Sequence, residues 1–140
     1  MLKQILFGGE SGLSPWANAG TALLRIFTGV TMAFMHGAGK IPPSDKLVES
    51  TAGFGFPVPF VFAWAAGLSE FLGGICLALG LFTRISSFFI ASTMFVAAFF
   101  AHAKDPFGTK ELALLYMFVS AAFLFKGSGD WSLDALLRRK

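Results

Sequence analysis

The chain alternates between long apolar runs and shorter polar stretches that are rich in glycine, proline and charge. At about 1.5 Å per helical residue, runs of about 20 residues can cross a hydrocarbon core of about 30 Å. The pattern therefore predicts an all-α integral membrane protein, a four-helix bundle that forms one domain over residues 1–140. The predicted spans are residues 16–36, 57–82, 85–103 and 111–126.

The stretches between the spans carry turn and capping signals. Ser14 followed by Pro15 is typical of a helix start, and Gly127 is placed where a helix ends. Residues 37–56 form a polar loop in which residues 44–48 are predicted to make a short helix. Residues 104–108 form a tight turn.

Composition supports a membrane protein and excludes two other classes. Hydrophobic residues make up 55% and charged residues 14% of the chain, whereas a soluble domain usually carries about 25% charged residues. The lipid bilayer is therefore the predicted partner. No basic patch is interleaved with aromatic residues, so nucleic-acid binding is not expected. The single cysteine, Cys76, excludes dithiol chemistry within one chain and is interpreted as a packing residue.

The positive charges favour cytoplasmic termini. With four spans, both termini lie on the same side of the membrane, and basic residues concentrate on the cytoplasmic side. Six basic residues lie on the terminal side and four on the opposite side. The six are Lys3, Arg84, Lys126, Arg138, Arg139 and Lys140, and the four are Lys40, Lys46, Lys104 and Lys110.

Two charges lie inside predicted spans, Arg25 in the first and Glu70 near the middle of the second. A charge at this depth costs at least about 2.5 kcal/mol and needs a partner. We expect the two side chains to meet at similar depth as an intramembrane polar pair, since their spans are adjacent and antiparallel. The pair could simply lock two helices together, or it could line a cavity that binds a quinone-like or small anionic head group or relays protons.

A second polar group is predicted at the outer end of the spans. His36, Lys40, His102 and Glu111 all lie at or near span ends on that side, and together they would line an outer pocket. Two histidines and a carboxylate are also candidate metal ligands, so His36, His102 and Glu111 are weak candidates for a metal site. The alternative is that the histidines bond loop backbone and that Glu111 favours a helix N-terminus. Haem is disfavoured because both histidines lie at span ends.

Several segments resemble the DoxX family. Arg25 followed by His36-Gly37-Ala38-Gly39-Lys40 is similar to the first-helix signature of that family. Glu70-Phe71-Leu72-Gly73-Gly74 and Leu79-Gly80-Leu81-Phe82-Thr83-Arg84 resemble its second-helix pattern. His102, the segment Lys110–Leu115 and the closing Gly127-Ser128-Gly129-Asp130-Trp131-Ser132-Leu133-Asp134 match further positions, with Ser128 where proline is frequent.

The resemblance implies a small four-helix protein of the bacterial inner membrane. It also implies an association with membrane redox systems, including thiosulfate:quinone oxidoreductase subunits and partners of oxidative-stress enzymes. This chain has no flavin, iron–sulfur or dithiol motif, so an oxidoreductase role would need a quinone, a metal, or a redox partner subunit. The sequence leaves two alternatives open: a small transporter for protons, metal ions or lipid-like molecules, and a structural scaffold, either of which could be a homo-oligomer.

Overall fold

The computed structural model describes residues 6–139, which are helical with no strand, as the apolar pattern predicts. The sequence positions Lys3 and Lys140, used in the orientation argument, lie outside these residues. The main α-helices are α1 (Pro15–Thr31), α2 (Asp45–Gly53), α3 (Pro59–Leu79), α4 (Thr83–Val96), α5 (Phe107–Lys126) and α6 (Leu133–Arg139). A π-helical turn extends α1 over Met32–Gly37, a 3₁₀ turn follows over Ala38–Lys40, and a second π-helical turn extends α4 over Ala97–Ala101.

Three helical segments in the described part of the chain are long and apolar enough to cross a membrane: Pro59–Leu79, Thr83–Ala101 and Phe107–Lys126. The predicted first span corresponds to α1, which has 17 residues and continues without a break through its π and 3₁₀ turns to Lys40. The first helical segment is therefore longer than the predicted span, residues 16–36, by one turn at its C-terminal end.

Local sequence signals set most helix ends. Ser14 caps α1 by accepting from the Ala17 N–H at 3.2 Å, with Pro15 at the first helical position. Ser44 caps α2 by accepting from the Leu47 N–H, and α2 is longer than the short helix predicted over residues 44–48. Gly80 ends α3 in the left-handed conformation, with φ of 66°.

Two ends of the molecule can be defined from the helix connections. The terminal end carries residues 6–14 and 127–139, and the distal end carries residues 38–58 and 102–106. A small apolar core, composed of Met32, Leu77, Ile90, Met94 and Phe123, lies between the long helices. The Tyr116 hydroxyl donates to Thr31 Oγ1 at 3.0 Å and so joins α5 to α1.

Close packing of α1 on α3 fixes the register of these two antiparallel helices. A methyl group added at Gly29 would lie 2.5 Å from the Gly74 carbonyl oxygen, and one added at Gly74 would lie 2.7 Å from the Ala33 nitrogen. One added at Gly37 would overlap the backbone of Glu70 and Phe71. Small residues let helix backbones approach this closely. The register therefore places Gly37, and not Arg25, at the level of Glu70.

Gly-to-Ala substitutions at Gly29 and at Gly20 should show how much the close contact of α1 with α3 contributes to stability, apart from the effect of alanine on helix propensity. We expect Gly29→Ala to lower the free energy of unfolding by about 1–3 kcal/mol, because the new methyl group would have to displace the α3 backbone. Gly20, on the same helix, has no atom within 4 Å of an added Cβ. The control Gly20→Ala should therefore raise stability by about 0.5–1 kcal/mol. Thermal unfolding of both variants in detergent tests this, and a Gly29→Ala protein as stable as the wild type would contradict the packing.

Candidate functional site

The most deeply buried acid in the long helices, Glu70, forms an ion pair with Lys40. The Lys40 Nζ lies 2.6 Å from Oε1 and 2.7 Å from Oε2 of Glu70, so both carboxylate oxygens accept from one ammonium group. Only 1% of the Glu70 side chain is exposed, whereas 36% of the Lys40 side chain is exposed. The carboxylate is thus buried among the helices, whereas the lysine side chain reaches the surface.

Glycines position both partners of this pair. Glu70 lies near the middle of α3, with the backbone of Gly37 pressed against its own backbone. A Cβ added at Gly67, one turn before Glu70, would lie 2.7 Å from the Lys40 carbonyl oxygen. The 3₁₀ turn that ends at Lys40 can therefore lie directly on α3, within reach of the carboxylate.

Among the residues that the structure describes, one donor of Lys40 has no partner. An ammonium group carries three N–H donors, and the two bonds to Glu70 use two of them. The third is a charged donor on a partly exposed side chain at the distal end. It can bond a carbonyl or anionic oxygen of a ligand, and a charge-assisted bond of this kind is stronger than one between neutral groups.

The structure does not bring Arg25 and Glu70 together as predicted. The Arg25 guanidinium lies at the C-terminal end of α3 and bonds the carbonyls of Leu77 and Ala78, at 2.9 and 2.6 Å. Those carbonyls lie seven and eight residues beyond Glu70, about 11 Å along the helix axis at about 1.5 Å per residue. The prediction assumes that the midpoints of the two spans lie at the same depth, whereas the register of α1 against α3 places Gly37 beside Glu70 and Arg25 near the end of α3.

Arg25 instead clamps the terminal end of the bundle. Its other terminal nitrogen donates to the Trp131 carbonyl at 2.7 Å, so one guanidinium joins α1, α3 and the segment after α5. The last carbonyls of a helix have no partner within the helix, and a cation bonds them favourably. Gly80 is packed tightly beside this group, since an added Cβ would lie 2.5 Å from Arg25 Nη1.

The closing segment adds two more polar contacts at the terminal end. Asp134 is fully buried and accepts from the N–H groups of Phe82 and Thr83, at 2.8 and 2.9 Å, which caps the start of α4. Asp130 accepts from the Leu13 N–H and from the Asn18 side-chain amide. The hydrogen bond from Asn18 is the main reason that the pKa of the Asp130 carboxyl lies below its usual range.

Three of the four residues of the predicted outer pocket contact side chains outside that group. Lys40 pairs with Glu70. The His36 ring packs edge-on against Tyr116, with centroids 5.3 Å apart. His102 Nδ1 lies 2.8 Å from the Asp105 carboxylate in the turn that follows α4, and Glu111 is exposed on α5. Sequence reasoning placed Lys40 in this pocket but did not identify it as the partner of Glu70.

The metal candidates were His36, His102 and Glu111. Within residues 6–139, no group of three His, Cys, Asp or Glu side chains is arranged to hold a metal ion. His102 is instead bonded to its near neighbour Asp105. The proposed grouping of these three residues around a metal is therefore not found. Each histidine follows or lies in a π-helical turn, a feature that is frequent at functional sites.

An apolar groove of about 490 Å³ runs along α3 and α4. Cys76 lines it and is half-buried, as expected of a packing cysteine. Ser69, which precedes Glu70 in the chain, lines the same groove and accepts from the Thr93 hydroxyl at 3.0 Å. The groove suits a hydrocarbon chain, since its lining is mostly Ala65, Leu68, Leu72, Ile85 and Phe89.

Three curated proteins are similar to this chain over most of its length. A curated "Uncharacterized protein" of Haemophilus influenzae is 36% identical over 120 residues, covering 81% of this chain and 87% of that protein. "Putative oxidoreductase CatD" of Bacillus subtilis is 32% identical, covering 82% of this chain and 84% of its own length. "Inner membrane protein YqjF" of Escherichia coli is 31% identical, covering 74% and 82%. No solved structure matches the chain.

The family model DoxX matches residues 20–103. This range includes Arg25, Lys40 and Glu70, most of α1, and all of α3 and α4. This match covers more than half of the chain, and the relatives are similar over most of their lengths. The resemblance noted in the motifs is confirmed, and the chain belongs to the DoxX family of membrane proteins.

Proposed function

We propose that this protein is a component of a membrane redox system, in which Lys40 and Glu70 form the head-group site for a quinone-like ligand. The single observation that carries the proposal is the third donor of Lys40, which has no partner in residues 6–139 while the other two donors bond the buried Glu70 carboxylate. A quinone head group presents carbonyl oxygens, which accept hydrogen bonds from such a donor. Glu70 fixes the direction of the ammonium group and compensates its charge.

Two further features support a quinone-like ligand. The apolar groove along α3 and α4 offers a surface for an isoprenoid chain, and its lining includes the residue next to Glu70. One relative carries the name "Putative oxidoreductase CatD", which says of that protein only that it is thought to be an oxidoreductase. A bound quinone supplies two-electron redox chemistry, and a partner subunit would supply the electrons.

We further propose that the chain crosses the membrane four times. The segment from Pro15 to Lys40 would be the fourth crossing, beside the three segments that meet the length and hydropathy requirements of a span. The bundle would lie in a bacterial inner membrane, the location named for YqjF, with cytoplasmic termini as the charge distribution favours. Lys40 and Glu70 would then be reached from the outer side or from the lipid.

Binding of short-tailed quinones tests the head-group site. The purified protein in lipid nanodiscs should bind a short-tailed ubiquinone or menaquinone, measured by equilibrium partition against empty nanodiscs. Lys40→Met should weaken binding at least tenfold, which corresponds to about 1.4 kcal/mol, since the charged donor is lost. The matched control is Lys46→Met, which removes an exposed lysine from the neighbouring helix α2 and should bind as the wild type does.

A second variant that keeps the fold distinguishes loss of the binding site from loss of folding. Lys40→Met combined with Glu70→Gln removes both charges, so no uncompensated carboxylate remains inside the bundle. This double variant should remain folded and still bind quinone at least tenfold more weakly. Wild-type protein that binds neither quinone, or a folded double variant that binds as tightly as the wild type, would refute the proposed site.

A further inference from the structure

Three hydroxyl groups at the terminal half of the bundle are buried and have no protein partner. Thr83 Oγ1, Ser87 Oγ and Ser120 Oγ each lack a hydrogen bond to any described protein atom, and all three residues are 0% exposed. The Nε of Arg25, a residue that is 2% exposed, is also without a protein partner. A buried polar atom without a partner is costly, so native proteins satisfy nearly all of them.

Hydroxyls on the same helix show that this arrangement is not forced by helix geometry. Serine and threonine in a helix can donate to the carbonyl three or four residues before them. Ser86 does so to Phe82 and Thr83, each at 3.1 Å, and Ser92 does so to Phe88 at 2.8 Å. Ser87 lies between them in sequence on α4 and has no such bond, so its hydroxyl is turned away from its own backbone.

The three hydroxyls lie on the terminal halves of α4 and α5, which pack against each other. Thr83 and Ser87 are four residues apart and therefore share a face of α4. The Arg84 side chain donates to the Phe125 carbonyl at 3.1 Å, so the start of α4 lies beside the end of α5. Counting from that contact at about 1.5 Å per residue, Ser87 and Ser120 lie within about 3 Å of the same depth. Two fully buried hydroxyls without a protein partner thus lie at similar depth on neighbouring helices.

We propose that Thr83, Ser87 and Ser120 bind internal water molecules in the terminal half of the bundle. Buried waters typically make about three hydrogen bonds to groups that lack protein partners, and these hydroxyls offer such partners. On the distal side the site is closed by apolar side chains, since Ile90 and Met94 lie one and two turns further along α4. The water site is therefore separate from the Lys40–Glu70 ion pair.

The sign of a stability change tests this proposal. If the interface is hydrated, Ser87→Ala and Ser120→Ala each remove a water ligand and should lower the unfolding midpoint in detergent by about 4 °C. If the interface is dry, each substitution removes an uncompensated polar group and should leave the midpoint unchanged or raise it, which would overturn the proposal. The matched control Ser92→Ala removes a hydroxyl that is already bonded to its own helix and should shift the midpoint by less than either variant.

A lower unfolding midpoint could have a cause other than lost water, so the bound water is also measured directly. Radiolytic footprinting in ¹⁸O-labelled water modifies side chains beside bound water even when bulk solvent cannot reach them. Ile90 and Phe123, one turn from Ser87 and Ser120, are 0% and 2% exposed. They should take up ¹⁸O in the wild-type protein and at least threefold less in the Ser87→Ala, Ser120→Ala double variant. Absence of uptake in the wild type, or equal uptake in the double variant, would refute the water site.

Discussion

Replacing Arg25 with methionine is expected to lower the free energy of unfolding by about 3–5 kcal/mol, since each hydrogen bond from a charged group is worth about 1.5–3 kcal/mol. The side chain is 2% exposed and donates to the carbonyls of Leu77, Ala78 and Trp131. Methionine has a similar length but no donor, so the end of α3 and the closing segment would lose their common contact. Buried Asp134 would also lose a nearby positive charge.

Thermal unfolding in detergent would measure this loss. The matched control is Arg84→Met, because Arg84 also bonds a carbonyl at a helix end, that of Phe125, but with a single exposed hydrogen bond from a half-buried residue. We expect this control to cost about 0.5–1 kcal/mol. Arg25→Lys should fall between the two, since it keeps the charge without the planar fork that reaches three carbonyls. A loss for Arg25→Met no larger than that for Arg84→Met would contradict the clamp.

Replacing Lys40 with methionine is expected to cost about 2–3 kcal/mol of folding stability, the lower part of the range for breaking a buried ion pair. The lower part applies because 36% of the Lys40 side chain is exposed, whereas the Glu70 carboxylate that it leaves behind is sealed. The cost therefore arises mainly from an uncompensated charge inside the bundle and only partly from two lost hydrogen bonds.

Neutralising Glu70 in the same protein should reverse most of this loss. In Lys40→Met combined with Glu70→Gln no charge is left unpaired, so the unfolding midpoint should recover by more than half. Lys46→Met, at an exposed position on α2, provides the control and should change stability by less than about 0.5 kcal/mol. A double variant that is less stable than the Lys40→Met variant would show that the loss has another origin.

The helices could be predicted from the sequence because their signals are local. Apolar runs of sufficient length, Ser14 before Pro15 and Gly127 after α5 are each visible within a few residues of the chain. The continuation of the first segment to Lys40 was not visible, because residues 37–40 are Gly-Ala-Gly-Lys and are typical of a loop. Contacts with α3 stabilise them as π and 3₁₀ turns.

The partners of the buried charges could not be predicted from the position of each charge within its span. Depth depends on the register between helices, and the contacts of Gly29, Ala33 and Gly37 with α3 set that register. This spacing of small residues every fourth position is present in the sequence and could have been used. It would have placed Glu70 beside Gly37, three residues from Lys40.

The roles of the closing segment depended on contacts over long distances in sequence. Asp134 lies 51 residues from Thr83 and 52 from Phe82, whose N–H groups it caps. The motif that ends in Asp134 supported the family resemblance, and the family is confirmed, but no local pattern indicates what its carboxylate binds. The same holds for Trp131, whose carbonyl accepts from Arg25 through its backbone alone.

The structure pairs Glu70 with Lys40 and not with Arg25. A pair of double-mutant cycles in detergent measures this directly, one with Lys40→Met and Glu70→Gln and the other with Arg25→Met and Glu70→Gln. We predict a coupling energy of about 1–3 kcal/mol for the first cycle and additivity within about 0.5 kcal/mol for the second. Strong coupling of Arg25 to Glu70, with additive effects at Lys40 and Glu70, would contradict it.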